Sequence, residues 1–401
     1  MARGAKVARR ALVIGGGPAG LMAAETLARA GLSVIVADAM PSLGRKFLMA
    51  GKSGLNLTTD APLADFMHAY TGAPEPFIAA LRDFGPDAVQ AWVRGLGQAI
   101  FTGTSGRVFP VAMKASPLLR AWLARLTALG VERRTRWRWQ GMRDGGFRFD
   151  TPEGPRDVAA DVCVLALGGA SWRRLGSDGA WIDTLAGLGV DTVPFAASNA
   201  GLSVDWPPQM AKLFGTPVKG TALHAGGKVF RGEFVISARG LEGGGIYPVS
   251  PMIRAGDHLT LDLMPDWPLA KVADRLSRPR GKASLSNHIR KALRLDPGRL
   301  GLLMTFGRPL PVDDRLAARV KALPVRHAGL RPLDEAISTV GGVAPGAVDR
   351  GLMLRAVLGM FVAGEMLDWD APTGGYLING CLASGRWAAR HAAAFAQGGQ
   401  V

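Results

Sequence analysis

Four apolar residues, Ala11 to Ile14, run directly into Gly15-Gly16-Gly17-Pro18-Ala19-Gly20, and this junction constrains the fold more than any other feature of the chain. The apolar run suits a buried strand. The segment after it has helical spacing, with Leu21, Ala24, Leu27 and Ala28 on one face and Gly31 as its stop. A second apolar run over 33–39 completes a βαβ unit. Within Gly15-x-Gly17-x-x-Gly20 each glycine has its own task. The first permits a tight turn, the second lets backbone N–H groups approach a pyrophosphate, and the third lets the helix pack close to the strand. Pro18 and Ala19 lie inside this loop, where a helix N-terminus turns its partial positive charge toward phosphates. Asp38 ends the second strand, where an acid accepts hydrogen bonds from ribose hydroxyls. The combination predicts dinucleotide binding.

One such unit uses only a small part of the 401 residues. With 48% hydrophobic and 20% charged residues, the chain is neither disordered nor fibrous. At roughly 100–200 residues per domain, two or three domains are expected. Cys163 and Cys381 are too few and too far apart for a disulfide framework, a CxxC pair or a cysteine zinc site. The histidines form no metal cluster in sequence, so no metal is expected. Glycines interrupt the apolar run after the basic N-terminus, which excludes a secretory segment. No charge-free apolar stretch of about 18 residues occurs, so no membrane span is predicted and a cytoplasmic location is expected.

The net charge of +16 is concentrated in two places. Residues 1–10 hold Arg3, Lys6, Arg9 and Arg10 without an acid, and residues 271–331 hold 15 Lys and Arg against four Asp. Such segments raise the local concentration of anionic partners, RNA or a phosphorylated cofactor, unless they are simply solvated basic helices.

Farther along, 77–98 and 117–129 have helical pattern, and 131–158 alternates as an antiparallel meander. There, Arg134, Arg136 and Arg138 interleave with Trp137 and Trp139. Strand spacing turns the tryptophans to the core and the arginines to solvent. A buried strand is expected over 161–169, a β-rich segment over 212–263 and basic amphipathic helices over 268–326. The pattern changes after Val193-Pro194, and the chain closes with a strand, a glycine-rich turn and a helix.

Glycine-rich returns of the chain decide between dinucleotides. Gly44-Arg45-Lys46 follows the second strand, and Gly54 and Asn56 come soon after. Gly168-Gly169 follows strand 162–167, Gly364-Glu365 follows strand 360–363, and Thr373-Gly374-Gly375-Tyr376 precedes the last helix. An NAD-only domain has no use for these segments. Extended FAD does, because its ribityl chain needs a carboxylate and its flavin ring needs donors such as a helix N-terminus. Gly51-Lys52-Ser53 is not a P-loop, since Lys46 stands where that motif needs glycine. Lys52 is left either near the FAD phosphates or exposed, and Arg107 either borders a substrate cavity or belongs to a structural turn.

The blocks VIGGGPAGLMAAETLARAG, GRKFLMAGKSGLNLT, GRVFP, ALGGASW with GSDG, and STVGGV with FVAGEMLD and TGGY span nearly the whole chain. In these the sequence resembles the BaiN/RdsA-type NAD(P)/FAD-dependent oxidoreductases, a branch of the two-dinucleotide-binding-domain flavoproteins. It departs from them in three places. Asp38 replaces the usual Glu, Asn56 is kept without the Arg-Cys that precedes it in related sequences, and Leu377 rather than Asn follows Tyr376.

The resemblance implies an α/β fold, a Rossmann-like FAD domain with an antiparallel meander. Residues 1–195 and 335–401 would form that domain, with a cap inserted over 196–334, β-rich in 196–265 and helical in 266–334. FAD would be held by Gly15, Gly17, Pro18, Ala19, Gly20, Asp38, Arg45, Lys46, Gly54, Asn56, Gly168, Gly169, Gly364, Glu365, Gly374, Gly375 and Tyr376. NAD(P)H is the implied transient donor, bound without a Rossmann domain of its own. Asn56 and Arg107 are the catalytic candidates beside flavin N5. Three substrate classes follow from the resemblance: steroid-like enones, uridine in ribosomal RNA, and small amines. The basic cap and N-terminal tail favour RNA. A non-catalytic RNA-binding flavoprotein is the reading from a different class.

Overall fold

The computed structural model describes residues 9–52 and 54–399; Arg3, Lys6 and Ser53 lie outside them. The chain divides into two compact units, one made of the residues up to Ala196 with those from Ser338 onward, the other of Ala197–Ile337.

In the first unit β1 (Arg10–Ile14), α1 (Pro18–Arg29) and β2 (Ser33–Asp38) form the opening βαβ. The short helix α2 (Arg45–Ala50) follows, and β3 (Glu132–Thr135), β4 (Val162–Leu165) and β5 (Met360–Val362) complete one parallel sheet in the order β5-β4-β1-β2-β3. Central strands of such a sheet are covered on both faces and carry continuous apolar runs. Leu12 to Ile14 and Val162 to Leu165 are accordingly at most 1% exposed.

The last helix, α3 (Tyr376–Ala396), lies against α1. It buries a face of small residues that includes Ala388, Ala389 and Ala392. At Gly385 a Cβ would sit 2.2 Å from the Ala19 carbonyl oxygen, so the two helices touch backbone to backbone. Glu25 on α1 is a buried charge and is paired as such charges must be. Its Oε2 accepts from Trp122 Nε1 at 2.9 Å, and its Oε1 from Arg125 Nη1 at 3.1 Å.

Two expectations change. The helix expected over 77–98 is two helices, Glu75–Asp83 and Pro86–Gly95, because Gly85-Pro86 ends one and starts the next. The first strand expected in the meander leaves it: β3 pairs parallel with β2, and Arg136, at φ +59, turns the chain away. The meander proper is Arg138–Arg143, Gly146–Asp150 and Arg156–Val158. There Trp139 is buried opposite Phe149, while Arg134, Arg136 and Arg138 are exposed.

The second unit holds two four-stranded antiparallel sheets and five α-helices, Ser250–Arg254, Leu269–Ser277, Leu285–Leu293, Pro297–Phe306 and Arg315–Lys321. Three of these helices match the amphipathic segments; Pro297–Phe306 is additional, started by Asp296, whose Oδ1 accepts from the Arg299 N–H at 2.8 Å. Within the stretch expected to be helical, Leu323–Pro324 is instead a strand, paired with Thr260–Asp262. Phe234, Ile236, Leu261, Val272, Ile289 and Leu302 are fully buried in this unit's core. Each contributes about 1.5–3 kcal/mol by leaving water.

Candidate cofactor site

A cleft opens in the first unit at the carboxyl ends of β1 and β4, where the strand order reverses. Counting the open space at its mouth, it spans about 720 Å³. Its walls are 15–19, 38–40 and 44–46 on one side and Gly168, 175–177, Gly364, Glu365 and Cys381 on the other. Gly15 is at φ +106, and a Cβ there would lie 2.2 Å from the Ala166 carbonyl oxygen. At Gly20 a Cβ would lie 1.8 Å from the Gly15 oxygen. Protein packing therefore requires both. Gly17 differs: a Cβ there would meet no protein atom within 4 Å, so its freedom is directed at the open cleft. Gly17 is also the N-cap of α1 and offers no side-chain cap to the first-turn N–H groups.

Asp38 braces this loop. Its Oδ2 accepts from the Gly16 N–H and its Oδ1 from the Met40 N–H, each at 2.7 Å. Burial pushes the Asp38 carboxyl above the usual carboxylate range, against the pull of those two donors and of Arg45 and Arg138.

Across the cleft, Gly364 is held at both polar atoms. Its N–H donates to Ser384 Oγ at 3.0 Å, and its carbonyl accepts from Trp369 Nε1 at 2.9 Å. Glu365 is thereby fixed in the wall, where Lys46 Nζ reaches its Oε2 at 2.8 Å and Ser171 Oγ at 2.7 Å. Lys46 thus neutralises the neighbouring carboxylate. Cys381 stays a thiol, since burial and the nearby Glu365 push it far up.

The remaining sequence candidates do not line this cleft. Gly20 and Gly169 stand behind it, and a Cβ on Gly169 would lie 2.0 Å from Thr339 Oγ1. Gly54, Asn56, Arg107, Gly374, Gly375 and Tyr376 belong to the region where the strands Thr58–Thr59 and Arg107–Pro110 meet the start of α3. Thr59 Oγ1 donates to the Gly374 carbonyl at 2.6 Å, and a Cβ on Gly374 would lie 3.6 Å from Arg107 Nε. Backbone of Thr58 leaves Gly375 no room for a Cβ, which would lie 2.5 Å away. Tyr376 stacks on Phe66 at 4.7 Å.

Asn379 is a structural clamp. It is fully buried, accepts from Thr58 Oγ1 at 2.8 Å and donates to the Phe84 carbonyl at 3.0 Å. The helix carrying Tyr376 at its start brings Cys381 into the cleft, so α3 joins the two groups. Ser384 and Trp369 had no sequence signal, because a serine or tryptophan that grips a backbone atom resembles any other core residue.

Of five buried side-chain polar atoms without a hydrogen-bond partner among the described residues, two, Arg45 Nε and Asn56 Oδ1, belong to these two groups. With the uncapped helix start and the open face of Gly17, they are what an extended polar ligand would satisfy. The residues fit a dinucleotide.

Fold and cleft together define a Rossmann-type dinucleotide-binding protein. The chain belongs to the HI0933-like protein Rossmann domain family, whose model matches residues 9–391. Among curated relatives, it is 26% identical to the 3-dehydro-bile acid delta(4,6)-reductase of Clostridium scindens, over 95% of this chain and 98% of that one. It is 25% identical to the ribosomal RNA dihydrouridine synthase of Escherichia coli, over 91% and 93%. Among solved structures, the 3-ketosteroid delta1-dehydrogenase of Sterolibacterium denitrificans matches 96% of the chain, and the chain covers 99% of it, with a TM-score of 0.56 at 13% identity. The 3-ketosteroid-delta4-(5alpha)-dehydrogenase of Rhodococcus jostii matches at a TM-score of 0.52 and 17% identity, over 97% of both chains. These two likenesses show the fold. Among the described residues no helix is long and apolar enough to cross a membrane.

Proposed function

We propose that the protein is an FAD-dependent reductase of an electron-poor carbon–carbon double bond, with NAD(P)H as electron donor. One observation carries the reading. Two relatives, each aligned over more than 90% of the chain, act on unlike molecules through one bond change, saturation of a C=C. Bound FAD supplies the hydride for that change.

The chain's own residues do the rest. The 15–17 loop and the N-terminus of α1 hold the pyrophosphate, and Asp38 accepts from the ribose hydroxyls with the lone pairs its N–H donors leave free. Glu365, oriented by Lys46 and Gly364, takes the ribityl hydroxyls. The start of α3 behind Gly374-Gly375, which has no side-chain cap, would supply N–H donors to the flavin ring. Asn56 offers its free Oδ1 there, and the exposed Arg107 beside Gly374 orients the substrate's carbonyl. Under this reading the enzyme works in the cytoplasm.

RNA is the favoured substrate. Arg280, Lys282, Lys291, Arg294 and Arg308 are exposed in the second unit with no acidic partner among the described residues, which suits phosphate contacts. The basic N-terminal tail, which lies outside the described residues up to residue 8, is proposed as a further phosphate contact; Arg9 is paired with Asp161. A steroid-like enone is the second reading. It is favoured by an apolar surface in the first unit, where Phe101, Val111 and Met113 are exposed and Phe101 stacks on Phe109 at 5.7 Å.

Anaerobic mixing with NADH or NADPH tests the reductase. Rapid bleaching of the flavin, reversed by an alkene acceptor, is expected. A flavin bleached only by amines would replace this reading with an amine oxidase, and one bleached by neither would leave a non-catalytic RNA-binding flavoprotein. Mass spectrometry of ribosomal RNA from a deletion strain separates the substrates: unchanged dihydrouridine removes the RNA reading.

A further inference from the structure

Away from the cofactor cleft, the second unit carries an open groove of about 1070 Å³. It forms where the segment 205–209 meets the end of the helix Pro297–Phe306 and the segment 326–328. Its aromatic part is fixed. Trp206 Nε1 donates to the Ser237 carbonyl at 2.8 Å, and the Trp206 ring lies 5.6 Å from that of Phe306 at a tilt of 40°.

Its cationic part is equally defined. Arg326 sits with its guanidinium 5.9 Å from the Phe306 ring centre and donates to the Phe306 and Thr305 carbonyls at 3.2 and 2.7 Å. Two of its five N–H groups are thus used and three are left for a ligand. Arg308 is exposed and faces no carboxylate partner among the described residues. His327 Nδ1 accepts from the Gly329 N–H at 3.0 Å, which puts the ring proton on Nε2. Burial and the nearby His258 keep this ring neutral to lower pH than usual, so it serves as an uncharged donor. The exposed Asp205 and Gln209 complete the rim with an acceptor and an amide.

An aromatic platform, two arginines and a short row of donors and acceptors, in a unit rich in unneutralised cations, match the parts of one nucleotide. A planar base needs a face to lie on, a phosphate needs guanidinium, and the base edge needs hydrogen-bond partners. We propose that this groove holds a nucleotide of single-stranded RNA, its base against Trp206 and its phosphate on Arg308 and Arg326. The proposal rests on the reading of RNA as substrate and names the residues outside the cofactor cleft that grip it.

The test uses the full, FAD-loaded protein and a fluorescein-labelled single-stranded RNA oligonucleotide, followed by anisotropy across a salt series. Trp206→Ala is expected to weaken binding about tenfold, the usual worth of one stacked base, and to leave the salt slope unchanged. Arg308→Gln is expected to weaken it several-fold and to lower the slope by about one. Trp206→Phe keeps a ring in place and should bind within about twofold of wild type.

If Trp206→Ala fails to fold, Arg308→Gln still decides, because that exposed side chain supports nothing. Equal binding by wild type and Arg308→Gln overturns the assignment, as does displacement by heparin with no effect of either Trp206 variant, which marks a general anion patch. Flavin bleaching by NAD(P)H reports the reductase separately. If bleaching survives while the variants bind RNA like wild type, the groove assignment fails and the reductase stands. If bleaching is absent while the variants lose RNA, the reverse holds.

Discussion

The cofactor cleft and the groove of the second unit are built from different parts of the polypeptide. The cleft is mostly backbone: glycines at the ends of parallel strands, helix N–H groups, and carboxylates already occupied with N–H donors or with Lys46. The groove is mostly side chain, contributed by segments far apart in sequence, with its cations still free. A backbone site has little room to change, since every atom that makes it also holds the chain together. A side-chain site is adjustable one residue at a time. Substitutions should therefore act nearly all-or-none in the first and by degrees in the second.

The sharpest test of that contrast is Gly15→Ala. It adds a methyl against the Ala166 carbonyl and forces an L-residue to φ +106, at a cost of about 3 kcal/mol. FAD affinity should fall about a hundredfold or more. The ratio of flavin to protein absorbance after gel filtration reports it, and a yellow Gly15→Ala protein at full occupancy would break the comparison. Asn379→Ala comes next. It strands the Thr58 hydroxyl and the Phe84 carbonyl in the core, and should cost about 1–3 kcal/mol in urea denaturation of the apoprotein. Partial loss of flavin should accompany it, because the clamp holds the start of α3.

The same division explains what could be read from sequence. The glycine loop, Asp38 and Gly364-Glu365 were visible because backbone demands leave local signatures: a glycine where φ is positive or a Cβ has no room, and an acid at a strand end. The pairing of Lys46 with Glu365 was not, because it joins residues 319 apart and either partner alone suits a phosphate or a ribityl hydroxyl equally well. The helix Pro297–Phe306 lies within the stretch expected to be helical but is not singled out there, for another reason. It is buried on most sides, so it lacks an amphipathic period, although Asp296-Pro297 marked its start. The strand Glu132–Thr135 has the alternation of a meander strand, and only the turn at Arg136 sends it to the parallel sheet instead. Trp206, Phe306 and Arg326 share no local pattern, and nothing short of the folded unit brings them together.

A subtler effect separates the two regions by pH. Burial raises the Asp38 carboxyl, so the folded protein binds its proton more tightly than the unfolded chain does. Stability of the apoprotein should therefore fall as pH rises from the ordinary carboxylate range through the raised value of Asp38, and show no further change from this group above it. Asp38→Asn should remove that dependence, and urea denaturation across mildly acidic pH compares the two proteins. An unchanged slope in Asp38→Asn would mean that the Gly16 and Met40 donors balance burial and leave no net shift.

The smallest effect belongs to the exposed cations outside the groove. Lys282 and Lys291 have no acidic partner among the described residues and are not among the residues that line the groove. Lys282→Gln should leave stability within about 0.5 kcal/mol of wild type, as expected for a surface change. If the whole basic face follows the RNA backbone, each such substitution lowers the slope of log affinity against log salt by about 0.7, with the same effect on every RNA sequence. Should Lys282→Gln and Lys291→Gln leave the slope unaltered while Arg308→Gln lowers it, phosphate contact is confined to the groove and the remaining charge is a solvated surface.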